Sequence, residues 1–533
     1  MNPKILSRAA TVGILLSPIT ACGNTDSTSH ANSITVGTTS QFVATQDAPA
    51  PMDPAYSWDA ASWNYMRNTI QTLMIEADGD GEPIPEAAES CDFTDKESRR
   101  YECTLRSGLK FSNGAPIKSA DVKYSFDRVR TIKADSGVFA LLSTVDNVQT
   151  NGDRGVIFNL NTPDATFPYK LTTPVAGIVN RKMYKMNELR NGFSIDGSGP
   201  YIMKATVENN TLTDAVFTKN KNYIGNLKLK NETVDIRSFR NSDLMSSAID
   251  KGDIDVMTRT ISPDKIDELT KSHAENINIL EIPGIGIRYL AFNTDAPQVK
   301  DKVVRQAMAQ VIDRDELVGK AYGTQVTPLY SLVPAKVTGH TNSFFNKYGD
   351  PDVGKAKTLL EDANVTTPVE LTLHYTTDHY GPATKTEFKT LQKQLNGSGL
   401  FKIHLEGTPW PKYLPASMKG EYDVYGMGWF PDFPDPDNYL SVFFEKDNTL
   451  NLPYANDEIR NSLIPQSRRE ANRTDAVPSL TRIQNIDADD VPLLPLWQDK
   501  QYIASRDDII GSESALNSSG VLQIWQLARG VSG

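Results

Sequence analysis

Apolar positions recur along this 533-residue chain at two spacings, one typical of strands and one typical of helices. The side-chain alternation over residues 422–429 predicts a strand, and the apolar run at 438–444 predicts a helix after it. Residues 304–314 carry an apolar stripe at helical spacing, which we expect to face the core rather than a partner. The stripe consists of Val304, Ala307, Met308, Val311 and Ile312.

Two other regions carry clear signals for the ends of elements. Residues 105–116 read as a strand closed by a Gly/Pro turn. Residues 119–128 then predict a helix with Ser119 as its N-cap and Asp121 in its first turn. Farther along, a helix is predicted over 244–251, and the segment at 252–256 closes it and opens a buried strand.

Composition and charge narrow the functional classes. With 39% apolar and 23% charged residues, the chain is typical of a soluble globular protein, and its length corresponds to roughly three or four domain-sized units. The net charge of −11, without a basic run, argues against nucleic acid as a partner.

Catalytic and metal-binding patterns do not emerge from the sequence. The chain has no G-x-S-x-G, H-E-x-x-H or P-loop pattern. His374 and His379 form the closest histidine pair, but positions five apart on a strand lie on opposite faces. We therefore expect no enzyme activity and no metal site; a hydrolase of cell-wall peptides is the rival class.

The loop after the predicted strand at 422–429 combines rigidity, aromatic surface and negative charge. Proline fixes φ and donates no backbone hydrogen bond, so prolines end the strand there. A rigid loop with an aromatic wall and a fixed charge suits a cationic ligand. A capped turn before the helix at 438–444 accounts for the same residues without a ligand. The loop contains Pro431, Pro434 and Pro436, then Asp432, Asp435 and Asp437, and the aromatic residues Trp429, Phe430 and Phe433.

The N-terminal residues predict export and membrane attachment. Lys4 and Arg8 precede an apolar stretch at 9–19 that is too short to span a bilayer. The sequence Ile-Thr-Ala-Cys at 19–22 resembles the lipobox of bacterial lipoproteins, which implies a signal peptide over 1–21 and lipidation of Cys22. A generic export signal with an incidental cysteine is the alternative. Residues 22–32 then read as a flexible tether, so we expect an extracytoplasmic protein that is lipid-anchored to the outer face of the cell membrane.

The other two cysteines, Cys91 and Cys103, lie close together in the chain. A polar loop at 94–100 separates two short segments that read as a hairpin, so the thiols can face each other. Because disulfides persist outside the cytoplasm, we expect a disulfide between them. Two unpaired core cysteines are the alternative; a metal site is disfavoured because no histidine lies nearby.

Motifs in a fixed order resemble those of the family 5 solute-binding proteins of ABC importers, the peptide-binding class. The pattern G-W-x-x-D at 428–432, followed by D-P-D-N-Y-L at 435–440, resembles the family's late motif, whose first aspartate receives the α-ammonium group of the ligand. Residues 105–128 and the sequence G-S-G-P-Y at 197–201 resemble two earlier family motifs. Further matches fall at 222–225, 234–237, 252–256, 289–293, 304–314 and 492–497.

The resemblance implies an α/β fold, a periplasmic-binding-protein-like two-lobe clamp of the class II, cluster C type with an inserted α+β subdomain. Lobe I would comprise 33–67, 198–283 and 505–533, the subdomain 68–197, and lobe II 284–504. The lobes would close on a ligand across a two-stranded hinge. The resemblance also implies a monomer without cofactor, whose partners are a peptide or other small solute and the permease subunits of an ABC importer.

Carried onto this sequence, the family's ligand contacts include Asp432 as the acceptor for an ammonium group. In dipeptide-specific members an arginine pairs bidentately with the ligand carboxylate, but Asp378 takes that position here. No arginine lies between Arg314 and Arg460, which disfavours strict dipeptide specificity. The candidate ligand-binding residues are Asp432, Trp429, Trp410, Tyr380, Asp378 and Phe433.

Trp410 and Trp429 match tryptophans that line side-chain pockets in binders of longer peptides, although either could be a buried core aromatic. We therefore expect a peptide ligand, an oligopeptide rather than strictly a dipeptide. Such aromatics also suit sugar stacking, so an oligosaccharide is the runner-up. A nickel complex and glutathione are further alternatives within the same family.

Overall fold

The structure is a computed structural model that describes residues 33–46, 48–77, 81–272, 276–448 and 450–530. The predicted signal peptide, the tether and the lipidation site at Cys22 lie outside the described residues. Within those ranges, no helix is both long enough and apolar enough to cross a membrane.

Strands and helices follow one another along the whole described chain. The strands are β1 (Ser33–Thr38), β2 (Phe42–Val43), β3 (Met74–Ala77), β4 (Gly81–Pro85), β5 (Ala88–Phe93), β6 (Arg100–Leu105), β7 (Val145–Asn151), β8 (Gly155–Leu160), β9 (Tyr201–Glu208), β10 (Thr211–Lys219), β11 (Thr233–Ser238), β12 (Val256–Thr258), β13 (Ile277–Phe292), β14 (Val326–Pro328), β15 (Val369–Thr376), β16 (Phe401–Thr408), β17 (Val424–Trp429), β18 (Leu493–Arg506), β19 (Ile509–Ile510) and β20 (Ala528–Arg529). The helices are α1 (Ala60–Thr69), α2 (Ser119–Ile132), α3 (Phe167–Lys170), α4 (Ser242–Lys251), α5 (Pro263–Ser272), α6 (Lys302–Val311), α7 (Arg314–Ala321), α8 (Ser343–Tyr348), α9 (Val353–Asp362), α10 (Thr384–Gly397), α11 (Trp410–Met418), α12 (Asp437–Phe444), α13 (Ile464–Ser467), α14 (Arg473–Asp490) and α15 (Ser512–Ala515).

Twelve of the strands in the described ranges join one mixed sheet. Its main path runs β16–β15–β17–β13–β18–β12–β1–β11–β10–β2, while β14 pairs with β18 and β9 with β10. The two long strands, β13 and β18, pair antiparallel with each other in the middle of this path. At one end β18 pairs with β12, and at the other end β13 pairs with β17, so these two strands connect two halves of the sheet.

Each half of the sheet is covered on both faces. Because successive side chains of a strand point to opposite faces, Leu290 of β13 packs in the core under α6, α7, α9 and α10, whereas Tyr289 packs against α11, α12 and α14. The predicted stripe at 304–312 lies in the first of these cores, as expected. In the other half, Val36 and Met257 lie in two separate cores on β1 and β12.

Residues between β3 and β9 form a smaller unit with its own sheet. Strands β5, β6, β8 and β7 pair in that order and enclose a separate apolar core with α2. The hairpin predicted around residues 94–100 is present, with Cys91 opposite Cys103 in the register of β5 and β6. The two cysteines form a disulfide, which confirms the predicted pairing.

Two predicted element boundaries were wrong by a few residues. The N-cap of α2 is Lys118 rather than Ser119; Ser119 is the first helical residue, and its hydroxyl donates to the carbonyl of Gly152. Asp121 accepts the backbone N–H of Lys118 at 2.9 Å, which holds the first turn without a Ser cap. The helix predicted over 244–251 begins two residues earlier, at Ser242, because Asn241 caps it; it ends at Lys251 as predicted, and the buried strand opens at Val256.

Candidate functional site

The three aspartates of the loop between β17 and α12 have different partners. Arg473 binds Asp435 bidentately, with N–O distances of 2.7 and 2.9 Å. Arg468 contacts both oxygens of Asp437 at 3.0 and 3.2 Å. Both arginines come from the segment just before or within α14, so these two carboxylates are neutralised inside the protein.

Asp432 is arranged differently. Its Oδ1 atom accepts a hydrogen bond from the indole Nε1 of Trp58 at 2.7 Å, and its Oδ2 lies 3.5 Å from Nδ2 of Asn438. The side chain of Asn438 also accepts the backbone N–H of Asp432 at 2.8 Å, which fixes the loop. No lysine or arginine of the described residues forms an ion pair with Asp432, so its direct hydrogen-bond partners are neutral, while Arg67 and Lys170 act on its charge from farther away.

The pKa values reflect these partners. Burial raises the pKa of Asp432 to about 6, and the hydrogen bonds from Trp58 and Asn438, together with the more distant charges of Arg67 and Lys170, offset only part of that shift. Burial also acts on Asp437, but the adjacent guanidinium of Arg468 outweighs it and lowers the pKa of that carboxyl to about 2. Asp432 is therefore the loop carboxylate that gains most from an added cation.

The hydrogen-bond donor to Oδ1 of Asp432 comes from a distant, N-terminal part of the chain. Trp58 directly precedes α1, whose N-cap is Asp59. Its ring packs over Gly137, where an added Cβ would approach within 3.1 Å. Sequence reasoning missed Trp58 because no local pattern connects it with a loop 374 positions away.

Trp410 belongs to an aromatic wall beside this loop. It begins α11 and stacks on His379, with ring centroids 3.7 Å apart and planes 4° apart. Tyr380 contacts the same indole edge-on at 5.7 Å. The carboxylate of Asp378 accepts the backbone N–H of Trp410 at 2.7 Å, so Asp378 caps α11 in this structure.

Tyr380 lies against β17. Its hydroxyl accepts the backbone N–H of Gly428 at 3.0 Å, and a Cβ on Gly428 would come within 2.9 Å of the ring. The other face of the ring covers the guanidinium of Arg288 at 4.3 Å. Tyr380 thus needs a glycine at position 428 to reach this place.

Arg288 is a second residue that sequence reasoning missed. Its Nε lies 3.3 Å from the carboxylate of Glu387, while its two terminal nitrogens have no hydrogen-bond partner among the described residues. The side chain is fully buried below Tyr380. β13 therefore brings an arginine beneath the aromatic wall, but this arginine is not exposed to solvent in this conformation.

The remaining two candidate residues are more enclosed. Trp429 donates from Nε1 to the carbonyl of Asn438 at 2.7 Å and packs on Phe443. Phe433 is only 1% exposed and stacks on Tyr169 within the apolar core of the smaller unit. The structure thus brings Asp432 and Phe433 to the contact between the smaller unit and the half of the sheet that carries β17.

Polar contacts extend this junction. The backbone N–H of Ala165 donates to the carbonyl of Arg468 at 2.8 Å, and the hydroxyl of Ser98 donates to the carbonyl of Arg469 at 2.8 Å. Arg469 also pairs with Glu97 at 3.0 Å. The smaller unit is therefore held against the Asp432 loop by packing and by hydrogen bonds.

The two histidines singled out in the sequence do not share a ligand position. His374 stacks on Tyr422 with ring centroids 4.1 Å apart, whereas His379 stacks on Trp410. In the part of the chain that the structure describes, no group of three or more His, Cys, Asp or Glu side chains is placed to hold a metal ion.

Comparisons with known proteins find a matching family model and similar chains. The model of bacterial extracellular solute-binding proteins, family 5, matches residues 82–451. The oligopeptide-binding protein OppA of Bacillus subtilis is 23% identical over 510 residues, which is 90% of this chain and 91% of that protein.

Solved structures show the same fold. The unliganded open form of MppA, a murein peptide-binding protein of Escherichia coli, superposes with a TM-score of 0.78 at 19% identity, over 93% of this chain and 97% of that one. DppA of Helicobacter pylori in complex with the peptide STSA gives a TM-score of 0.72 at 21% identity, over 94% and 98% of the two chains. The predicted two-lobe α/β fold of periplasmic solute-binding proteins is thereby confirmed.

Proposed function

The chain belongs to family 5 of the bacterial extracellular solute-binding proteins, and from this premise we propose that it captures peptides for an ABC importer, with Asp432 as the acceptor for the α-ammonium group. The observation that carries this proposal is the set of partners around Asp432. Its two neighbouring aspartates are neutralised by arginines, whereas Asp432 receives hydrogen bonds from uncharged donors only. A ligand ammonium would supply the missing counter-charge in a partly buried site, where a charge-assisted hydrogen bond is strong.

The relatives support a peptide as the ligand. OppA is named for oligopeptides, MppA for murein peptides, and the Helicobacter pylori protein was solved with a bound peptide. All three names or titles refer to a peptide ligand, in agreement with the proposed class of solute. The function needs no catalytic group, since a binding protein only holds and releases its solute.

We further propose oligopeptides rather than strictly dipeptides. Asp378 caps α11, and Arg288 lies buried below Tyr380, so neither residue offers a cation to a ligand carboxylate in this conformation. Trp410, Tyr380 and Trp429 would contact peptide side chains or backbone through their partly exposed surfaces. The two lobes, assigned to 33–67, 198–283 and 505–533 and to 284–504, would close on the ligand about β13 and β18.

Native mass spectrometry of the purified mature protein tests the ligand class. Co-purified masses spaced by amino-acid residues would support peptides, and hexose spacing would transfer the proposal to oligosaccharides. Calorimetry on one peptide in three forms then tests its orientation. Acetylating the N-terminus should weaken binding about tenfold or more, while amidating the C-terminus should change it little. Equal loss from both modifications would reveal a carboxylate clamp and contradict the proposed mode.

The lipid anchor remains a separate part of the proposal. Cys22 would carry diacylglycerol and hold the protein near the permease. The Cys22→Ala protein should leave the membrane fraction, while wild type stays bound. If both proteins fractionate alike, the lipoprotein assignment fails without affecting the ligand assignment.

A further inference from the structure

A second carboxylate without a cation partner lies where β13 and β18 cross between the halves of the sheet. The pairing of these strands is interrupted there: Pro283 is opposite Lys500 and Ile287 is opposite Gln498, so Gly284, Ile285 and Gly286 all face Asp499. Asp499 fills this bulge with its side chain, and its Oδ1 accepts the backbone N–H of Gly286 at 2.8 Å.

Glycine is required on the opposing strand because the carboxylate occupies the space of its side chains. A Cβ on Gly284 would lie 2.1 Å from Oδ1 of Asp499, and one on Gly286 would lie 2.9 Å from Oδ2. The backbone of Ile285 between them accepts a hydrogen bond from Tyr439 and donates one to Ser518. The bulge is therefore a built feature with contacts to both halves of the molecule.

The charges around Asp499 do not compensate it. Its Oδ2 accepts from Nε2 of Gln501 at 2.8 Å, and no lysine or arginine in the described ranges forms an ion pair with it. The next residue, Lys500, points to the opposite face of the strand and pairs with Glu281 at 2.9 Å. Besides these groups, Tyr439 of α12 is the titratable neighbour. Burial raises the pKa of Asp499 to about 7, which the hydrogen bonds from Gly286 and Gln501 only partly offset.

An exposed aromatic ring lies beside this carboxylate. If Gly286 carried a Cβ, that atom would lie 2.8 Å from the ring of Phe430 and 2.9 Å from Oδ2 of Asp499. The ring and the carboxylate therefore lie side by side. Phe430 is 60% exposed, although most large apolar side chains of this molecule are buried. An aromatic face next to a carboxylate is suited to a lysine or arginine side chain, because its stem packs on the ring and its head reaches the charge.

We infer that Asp499 and Phe430 form a second cation subsite, which selects peptides carrying a lysine or arginine near the N-terminus. The inference rests on the proposed function, since it places the α-ammonium group at Asp432. Phe430 is two residues before Asp432, so the Cα atoms of these two residues are at most about 7 Å apart. Successive peptide Cα atoms are about 3.8 Å apart, so the side chain that reaches Asp499 is that of the second or third residue.

Calorimetry with a pentaalanine series tests the inference without any variant. One residue at a time is replaced by lysine or by norleucine, which has a similar stem and no charge, and binding is measured at pH 8, where Asp499 is mostly ionised. We expect lysine to bind about ten- to a hundredfold more tightly than norleucine at position two or three, and at no later position.

Two variants locate the effect. Asp499→Asn should keep the hydrogen bond from Gly286 and remove the preference for lysine over norleucine. Glu281→Gln removes one negative charge from the same pair of strands, on the opposite face from the bulge, and should retain the lysine preference.

The outcomes separate this inference from the proposed function. If wild type binds pentaalanine but prefers lysine over norleucine at no early position, the inference is overturned and the proposed function stands. If the lysine preference persists in Asp499→Asn, Asp499 is not the subsite. If no peptide of the series binds, the proposed function fails and this inference falls with it.

Discussion

Trp58 donates a hydrogen bond from its indole Nε1 to Oδ1 of Asp432 at 2.7 Å, although the two residues are 374 positions apart. Trp58 precedes α1 and Asp432 follows β17, so the contact joins two segments that are far apart in the chain. An ammonium group at the proposed site would meet a carboxylate that Trp58 and Asn438 already orient. Such preorganisation reduces the cost of fixing the side chain when the ligand binds.

Removing the charge of Asp432 should therefore weaken peptide binding. Asp432→Asn keeps the size of the side chain but replaces a charge-assisted hydrogen bond, which is worth about 1.5–3 kcal/mol. We expect the affinity for a peptide with a free N-terminus to fall about ten- to a hundredfold by calorimetry. Asp447→Asn, which removes an exposed carboxylate from the same region, is the matched control and should have no effect. An unchanged affinity in Asp432→Asn would rule out this residue as the anchor.

Binding should also depend on pH in a defined direction. The pKa of Asp432 in the unliganded protein is about 6, raised by burial. The ammonium group needs the ionised carboxylate, which becomes protonated as the pH falls. The affinity should therefore drop about tenfold when the pH is lowered from 7.5 to 5. The N-acetylated peptide lacks the cation and should show a flatter profile, as should Asp432→Asn with the free peptide. A profile that is equally steep for all three combinations would assign the titration to another group.

Local patterns in the sequence were sufficient for part of this architecture. The stripe at 304–312, the hairpin of Cys91 and Cys103 and the strand before Asp432 depend on neighbours a few residues away, and the structure contains all three. The N-cap of α2 was misplaced by one residue because Asp121 can stabilise the first turn without help from Ser119.

The site residues that the sequence did not predict lie far from the Asp432 loop along the chain. Trp58 precedes α1, whereas Arg288 and Asp499 lie on β13 and β18, and only the tertiary fold brings these three residues near the loop at 430–437. No spacing in the chain encodes that proximity. Phe433 was counted among ligand contacts because it adjoins Asp432, whereas the structure buries it in the core of the smaller unit.

The buried ion pair next to the site should contribute to stability rather than to ligand choice. Arg473 binds Asp435 with both side chains less than 5% exposed. Arg473→Met leaves that carboxylate buried and uncompensated, which typically costs about 3–5 kcal/mol. Arg482, on the same helix, pairs with Glu458 in an exposed position, so Arg482→Met should cost at most about 1 kcal/mol. Urea unfolding of both variants measures the difference; equal losses would contradict the assigned role of burial.

Phe433 should control closure of the molecule around its ligand. The ring is 1% exposed and stacks on Tyr169, so it couples the Asp432 loop to the smaller unit. Phe433→Ala removes this packing, which is worth about 3–5 kcal/mol for a buried phenylalanine. This value is the upper limit for the change in the free-energy difference between the closed and open forms. We expect a larger radius of gyration for the unliganded protein by small-angle scattering and an affinity reduced about tenfold or more.

The selectivity of this variant distinguishes closure from direct contact. A shift of the open–closed equilibrium weakens every peptide by the same factor, because it acts before any ligand group is recognised. The ratio between free and N-acetylated peptides should thus stay at its wild-type value in Phe433→Ala, whereas Asp432→Asn should abolish it. Phe345→Ala, which removes a ring that is 44% exposed, is the control and should change neither radius nor affinity. A changed preference among peptide side chains at an unchanged radius would instead make Phe433 part of a ligand pocket.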